Sequence, residues 1–272
     1  MNIEEKNIAI YDYAMEFLKD MMPKGNILGA YFEPEAKCDN LRDVYKRFII
    51  SAQNYQSMPN VIGFTKSKER EDGIRRVLHE YDLEYIKDLK VDDLNQQFRD
   101  KFNVTSADSK RNSWYKWSNA VIDSAKFLCE FKDYTEFDEF VNLFDFNVHT
   151  RMALPLLIGE RISGMGFALA CDMLKELGYV NYPKPDVHLK QVFKALGLSD
   201  GEPFDTFQAI VKMSDVCKVA KNDESITPYK VDKIFWLICS GRFYLSKPKE
   251  IKVSSKKIDF IEGAKKELSQ YI

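Results

Sequence analysis

Apolar residues in this chain recur at spacings of three and four along most of its length, and they almost never alternate. The pattern is plain in "YDYAMEFLKDMM", "LRDVYKRFIISAQ", "EDGIRRVLHEYDLEYI" and "SWYKWSNAVIDSAKFLCEF". With 3.6 residues per turn, each of these segments puts its large side chains on one face of an α-helix. Strands need a period of two, and the short stretches "YVNY" and "IKVSS" are too brief to organise a sheet. Turn formers and proline interrupt the pattern at "MMPKGN", "YFEPEAKCDN", "FNVTSADSKRN", "YVNYPKP" and "LSDGEP", which predicts roughly ten helices. The charged "TKSKEREDG" reads as a loop running into a solvated helix start. The expected fold is therefore all-α.

At 272 residues the chain is longer than a typical single domain, so two helical lobes with a ligand groove between them are expected. Apolar residues make up 45% and charged residues 30%, and Gly and Pro together number 21. Long disordered stretches do not fit that composition. No run approaches the roughly 20 apolar residues that cross a bilayer. The N-terminal "MNIEEKNIAIYDYAMEF" carries acids where a secretion signal carries a basic segment and an apolar core. The expectation is a cytoplasmic monomer with no membrane partner, associated with the nucleoid if the source is bacterial. Cys38, Cys129, Cys171, Cys217 and Cys239 are widely separated and form no Cys-x-x-Cys pair, a spacing unlike that of a zinc knuckle or an iron–sulfur cluster. His79 and His149 have no neighbour at ligand spacing. The net charge of −2 conceals an asymmetry: residues 147–272 carry 19 Lys/Arg against 15 Asp/Glu, whereas residues 1–146 carry 21 against 27. A nucleic-acid partner responds to the distribution of charge rather than its sum, so the basic excess of the C-terminal half matters more than the total.

That half contains two features that belong together. "TRMALPLLIGER" and "FALACDMLKELG" read as consecutive helices joined by "ISGMG". Gly164 and Gly166 open the second helix, whose first amides have no intrahelical acceptor. Such donors hold a phosphate without reading sequence; glycines placed only for close helix packing are the other reading. Further on, "YPKPDVHLKQVFKALGL" sets Asp186 directly before a helix, where its carboxylate accepts the first amides as an N-cap. A cap is a structural role, yet the same amides keep the carboxylate ionised and ready to stabilise a cation or orient a water.

Together, "ISGMG", the intervening helix and "PDVH" resemble the helix-hairpin-helix, endonuclease III-like superfamily of DNA glycosylases. Its members carry a Leu-Pro-Gly-x-Gly hairpin and then a Val-Asp-Thr-His segment with the catalytic Asp. Upstream, "FIISAQNYQSMPNVI" is similar to the family's Leu-Leu-Ser-Ala-Gln segment, and "NSWYKWSNAVIDSAKFLCEF" to the helix leading toward the hairpin. The resemblance covers roughly residues 45–200. It implies a bilobed helical fold with an inter-lobe cleft. One lobe would be a six-helix lobe over 45–178, including a helix-hairpin-helix at about 149–178, and the other would comprise 1–44 plus 179–272. It also implies double-stranded DNA carrying a damaged or modified base as partner, with Asp186 as the catalytic acid group. Gly164, Gly166, Lys184 and Lys190 would contact the DNA backbone. Gln53, with Asn54 beside it, would fill the gap left by an extruded base. Trp114, Trp117 and Phe167 are candidates for the base pocket or for stacking, and the carbonyls of Ile162 and Met165 for a K+ or Na+ ion.

Departures from the family pattern narrow the chemistry. Strand-cutting relatives have a lysine two positions after the second hairpin glycine, where this chain has Ala168, which points to a monofunctional glycosylase. The four clustered C-terminal cysteines that bind an iron–sulfur cluster in many relatives are missing, so no cluster is expected. Ser163 stands at the hairpin proline, a change expected to keep the turn but loosen it. His188 matches the family His and is read as structural. "SKRNSWYKW" interleaves Trp114, Tyr115 and Trp117 with Lys110, Arg111 and Lys116, in the manner of a stacking edge or of ordinary core packing. Two other classes stay open: a non-catalytic DNA-binding or damage-recognition protein, and an α-helical protein-interaction scaffold.

Overall fold

The computed structural model describes residues 2–22, 28–56, 58–243 and 251–272. It is all-α: 67% of the described residues are helical. In chain order the helices begin with α1 (Ile3–Met21), α2 (Leu41–Ala52), α3 (Met58–Ile62), α4 (Lys68–Val77) and α5 (Leu83–Lys87). There follow α6 (Val91–Lys101), α7 (Ser113–Leu128), α8 (Tyr134–Leu143), α9 (Val148–Arg161) and α10 (Phe167–Glu176). The last four are α11 (Val187–Ala195), α12 (Pro203–Lys221), α13 (Pro228–Ser240) and α14 (Lys257–Glu267). A two-residue ribbon, β1 (Arg242–Phe243) paired antiparallel with β2 (Ile251–Lys252), precedes α14. The expected break at "MMPKGN" spans residues 21–26: α1 ends at Met21, and residues 23–26 lie outside the described residues.

Fourteen α-helices among the described residues exceed the roughly ten expected, because several periodic runs are interrupted. "EDGIRRVLHEYDLEYI" splits into α4, a short 3-10 turn at His79–Tyr81, and α5. Three successive residues, His79, Glu80 and Tyr81, have φ of +45°, +60° and +62°, a region that non-glycine residues enter only when local contacts compensate. Here the His79 ring stacks on Tyr85 at 3.8 Å, and the Asp82 side chain starts α5 by accepting the Tyr85 amide at 3.2 Å. Elsewhere the polar starts behave as a helix needs: Asn40, Ser67, Asn112, Asp133, Asn147 and Thr227 each cap the helix that follows with a side-chain oxygen.

Tertiary contacts divide the chain into two compact units, Ala36–Leu177 and Met1–Glu35 with Gly178–Ile272. The first boundary thus precedes α2, whereas residue 45 lies inside that helix. In the Ala36–Leu177 unit, α2, α5 and α6 pack around α7, which buries residues along most of its length. Trp114, Trp117, Phe98 and Phe64 are fully buried there, and the Trp117 indole donates to the Ile49 carbonyl at 2.9 Å. A Tyr45 hydroxyl donating to the Val121 carbonyl at 3.2 Å adds a second bond between α2 and α7. In the other unit α1 packs against α12 and α13, and α11 lies against α13. Ile10, Leu18, Phe193, Phe235 and Phe260 form its core.

Candidate functional site

Within the Ala36–Leu177 unit, α9 and α10 pack on each other and meet through a four-residue turn, Ile162 to Met165. The Met165 amide donates back to the Ile162 carbonyl at 3.0 Å. Gly164, at the third position, has φ +79°, the value that a type II turn demands and that other residues resist. A type II turn favours proline at its second position, which here is Ser163. The Ser163 amide donates to Asp123 Oδ2 on α7 at 3.0 Å, a bond proline cannot make. The turn is therefore tied to α7 rather than loosened by the missing ring. On the other side the Met165 carbonyl seats against Gly159 of α9, where a Cβ would lie 2.7 Å from that oxygen.

Gly164 and Gly166 are exposed, with nothing within 4 Å of where their Cβ atoms would be. Gly166 is the N-cap of α10 and supplies no side-chain cap. The amides of Gly164, Gly166 and Ala168 have no backbone acceptor among the described residues. The turn also forms one wall of a groove of about 300 Å³, where Ser163 and Gly164 face Tyr55, Met58, Lys116 and Asn119. Lys116 Nζ stands 5.8 Å from the centre of the Tyr55 ring. The chain following α2 and the α9–α10 turn thus line one groove, with a cation at its edge.

In the other unit, Asp186 is the N-cap of α11. Its Oδ1 accepts the amides of His188 at 2.8 Å and Leu189 at 3.1 Å. Oδ2 accepts no hydrogen bond from the described residues, and the side chain is half-buried. The preceding loop is pinned from below by the buried Asp232 on α13, whose Oδ2 accepts the Lys184 amide at 2.7 Å. The Asp186 amide in turn donates to the Lys184 carbonyl at 2.8 Å. Lys184 and Lys190 are both half-buried, and the Lys190 amide donates to the Asp186 carbonyl. Burial pushes the Cys239 thiol on α13 up to about 12, with the Asp186 charge adding to the rise and Lys257 opposing it. The His188 Nδ1 is buried without a hydrogen-bond partner among the described residues.

Three sequence-predicted assignments are corrected by burial. Trp114 is 1% exposed and Trp117 fully buried. Phe102 stacks on Trp114 at 5.2 Å and Phe98 lies 5.1 Å from Trp117. Burying a ring of this size is worth about 4–6 kcal/mol at roughly 25 cal/mol per Å², so neither swings out to stack on a base. Gln53 is 4% exposed, and its Oε1 accepts the Phe64 amide at 3.0 Å. Removing that acceptor would strand a buried donor at a cost of about 1–3 kcal/mol, so Gln53 does not serve as a gap-filling side chain. The neighbouring Asn54 is exposed, and Phe167 is half-buried at the start of α10. The Ile162 carbonyl already accepts the turn's hydrogen bond, while that of Met165 is packed on α9.

Sequence reasoning missed Asp123, Asp232, Tyr55 and Asn119. Asp123 is spaced at i+4 and i+7 from Asn119 and Lys116 on α7, a polar stripe on an apolar helix that signals a face turned toward something other than the core. Nothing local marks Asp232. Comparison of the chain with models of protein families, with curated proteins and with solved structures finds no match.

Proposed function

We propose that this chain is a monofunctional DNA glycosylase that flips a damaged or modified base from duplex DNA and hydrolyses its N-glycosidic bond. The carrying observation is the Asp186 carboxylate, with one oxygen committed to two helix amides and the other open. Two amide bonds to one oxygen fix the orientation of the carboxylate at the start of α11. That carboxylate has one oxygen left to stabilise positive charge on a sugar and to accept a proton from water. In the proposed step the C–N bond breaks with its electron pair leaving on the base. A water oxygen bonds to the anomeric carbon, and the water's proton passes to Asp186. The turn between α9 and α10, read as a helix-hairpin-helix, supplies the amides around Gly164 and Gly166 for a backbone phosphate. Lys184 and Lys190 add cationic contacts, and a monovalent cation at the Ile162 and Met165 carbonyls belongs to the same reading.

The test is a panel of duplexes, each with one lesion or modified base, incubated with the protein and then treated with alkali to cut at abasic sites. Asp186→Asn separates the two roles of the residue, because Asn caps a helix as well as Asp does but carries no charge. We expect that variant to fold and bind duplex as the original chain does and to lose at least a hundredfold in base release; unchanged release sinks the assignment. Because Ala168 offers no amine, the product should be an intact abasic strand, and borohydride trapping of a protein–DNA adduct contradicts this. A non-catalytic DNA-binding protein is the second reading, favoured by the fact that capping accounts for both Asp186 hydrogen bonds. It predicts salt-sensitive duplex binding with no base released from any member of the panel.

A further inference from the structure

A second cavity in the Ala36–Leu177 unit, about 820 Å³ in volume, lies between the start of α4 and the end of α6 and shares no residue with the groove at the turn. Five cationic side chains line it: Lys66, Lys68, Arg70, Arg76 and Lys101. Arg70 is part of the wall. Its Nε and Nη2 donate to the carbonyls of Ile62 at 2.7 Å and Val61 at 2.9 Å, and its guanidinium lies 4.0 Å from the centre of the Phe102 ring. The other four are exposed and have no acidic partner within ion-pair distance among the described residues. Two acids also line the cavity, but Asp72 is engaged by Arg75 at 3.4 Å. Only Glu69 is left to offset four unpaired cations.

Unpaired charges of one sign gathered in one concavity repel each other and focus a field outward. This local excess exists in a half of the chain whose total is acidic, 21 Lys/Arg against 27 Asp/Glu over residues 1–146, so it is not a by-product of composition. Arg76 adds a planar fork of donors suited to phosphate oxygens, and Asn60 and Ser67 in the lining add neutral polar groups. We propose that the cleft between α4 and α6 binds phosphate groups, either those of a single nucleic-acid strand or those of a free polyphosphate. The volume exceeds what one phosphate fills and suits several in a row. This inference does not rest on the glycosylase reading, since it uses neither Asp186 nor the α9–α10 turn.

The test compares two triple variants of the full chain. One, Lys66→Gln, Arg76→Gln and Lys101→Gln, removes three of the four exposed cations from the cleft while leaving Lys68 and, in the wall, Arg70. The other, Lys90→Gln, Lys126→Gln and Lys132→Gln, removes the same charge from exposed positions that do not line it. Circular dichroism establishes that both fold. Binding is measured by anisotropy with a labelled single-stranded 12-mer, and by calorimetry with inorganic tripolyphosphate and with poly-glutamate. We expect the cleft variant to bind the 12-mer or tripolyphosphate at least tenfold more weakly, and the control variant to change less than twofold. If the strand is the ligand, the salt dependence of log K also falls in slope by about 2, at roughly 0.7 per phosphate contact on a single strand. Loss confined to tripolyphosphate identifies a free polyphosphate as the source. Equal affinities in the two variants, no binding of either phosphate probe by the original chain, or a loss confined to poly-glutamate would overturn the proposal. Base release from the duplex panel, assayed separately, reports on Asp186 alone.

Discussion

Gly159 shows how much one absent side chain decides. It lies inside α9, where glycine ordinarily costs about 1 kcal/mol against alanine, so Gly159→Ala should stabilise the helix if nothing else is near. The Met165 carbonyl is near, at 2.7 Å from the position of the new Cβ, and it belongs to backbone that cannot rotate aside. We therefore expect Gly159→Ala to lower stability by about 1–3 kcal/mol, read as a lower urea midpoint; a raised midpoint refutes the close approach. Similar single-residue detail separates the candidates that burial overturned from those left standing. Trp114 and Trp117 sit beside lysines and an arginine in sequence, and sequence alone does not tell a stacking edge from a core stripe with charged neighbours. Asp186 was legible because its role as a cap is local and needs only the following amides; the positive φ of Gly164 came from the structure.

At the scale of elements, helix positions were readable wherever a cap and an apolar stripe coincided, as at α2, α7 and α9. The start of α9 is a reciprocal capping box. Asn147 Oδ1 accepts the amides of His149 at 2.9 Å and Thr150 at 3.1 Å, and Thr150 Oγ1 accepts the Asn147 amide at 3.0 Å. Asn147→Ala should cost about 1 kcal/mol and Asn147→Asp nearly nothing, a difference measurable by denaturant titration; equal loss in both would deny the cap its role. Where the sequence misled, as between α4 and α5, the apolar period continues through a backbone reversal held by ring stacking. Periodicity registers which side chains are buried, but not whether the helix axis is continuous.

At the scale of the whole molecule, both units bury ionisable groups in neutral form. Burial pushes the thiols of Cys217 and Cys239 up to about 12, and raises the Tyr11, Tyr45 and Tyr81 hydroxyls as well. A group whose folded value is raised contributes its full stability below the unfolded value. That contribution is lost as pH rises from there toward the folded value, because the unfolded chain ionises first. Stability should thus be level from neutral pH to about 8.5 and fall above it, each of the two thiols contributing about 1.4 kcal/mol per pH unit. Urea midpoints across alkaline pH check this, and Cys217→Ala with Cys239→Ala should flatten the decline; a decline unaltered by removing both thiols contradicts the assignment. Among the described residues no helix is long and apolar enough to cross a membrane.

The amino-acid order by itself determined the helical class, most caps, the glycine turn and the place of Asp186 before α11, since each follows from contacts within a few residues. Only the tertiary structure decided which aromatic rings are core and that Gln53 is committed to the Phe64 amide. It alone also decided that Asp123 and Asp232 hold the two candidate loops, and that Lys66, Lys68, Arg76 and Lys101 share a cavity. Those are pairings between residues distant along the chain, and their energy comes from burial and juxtaposition that no local spacing encodes.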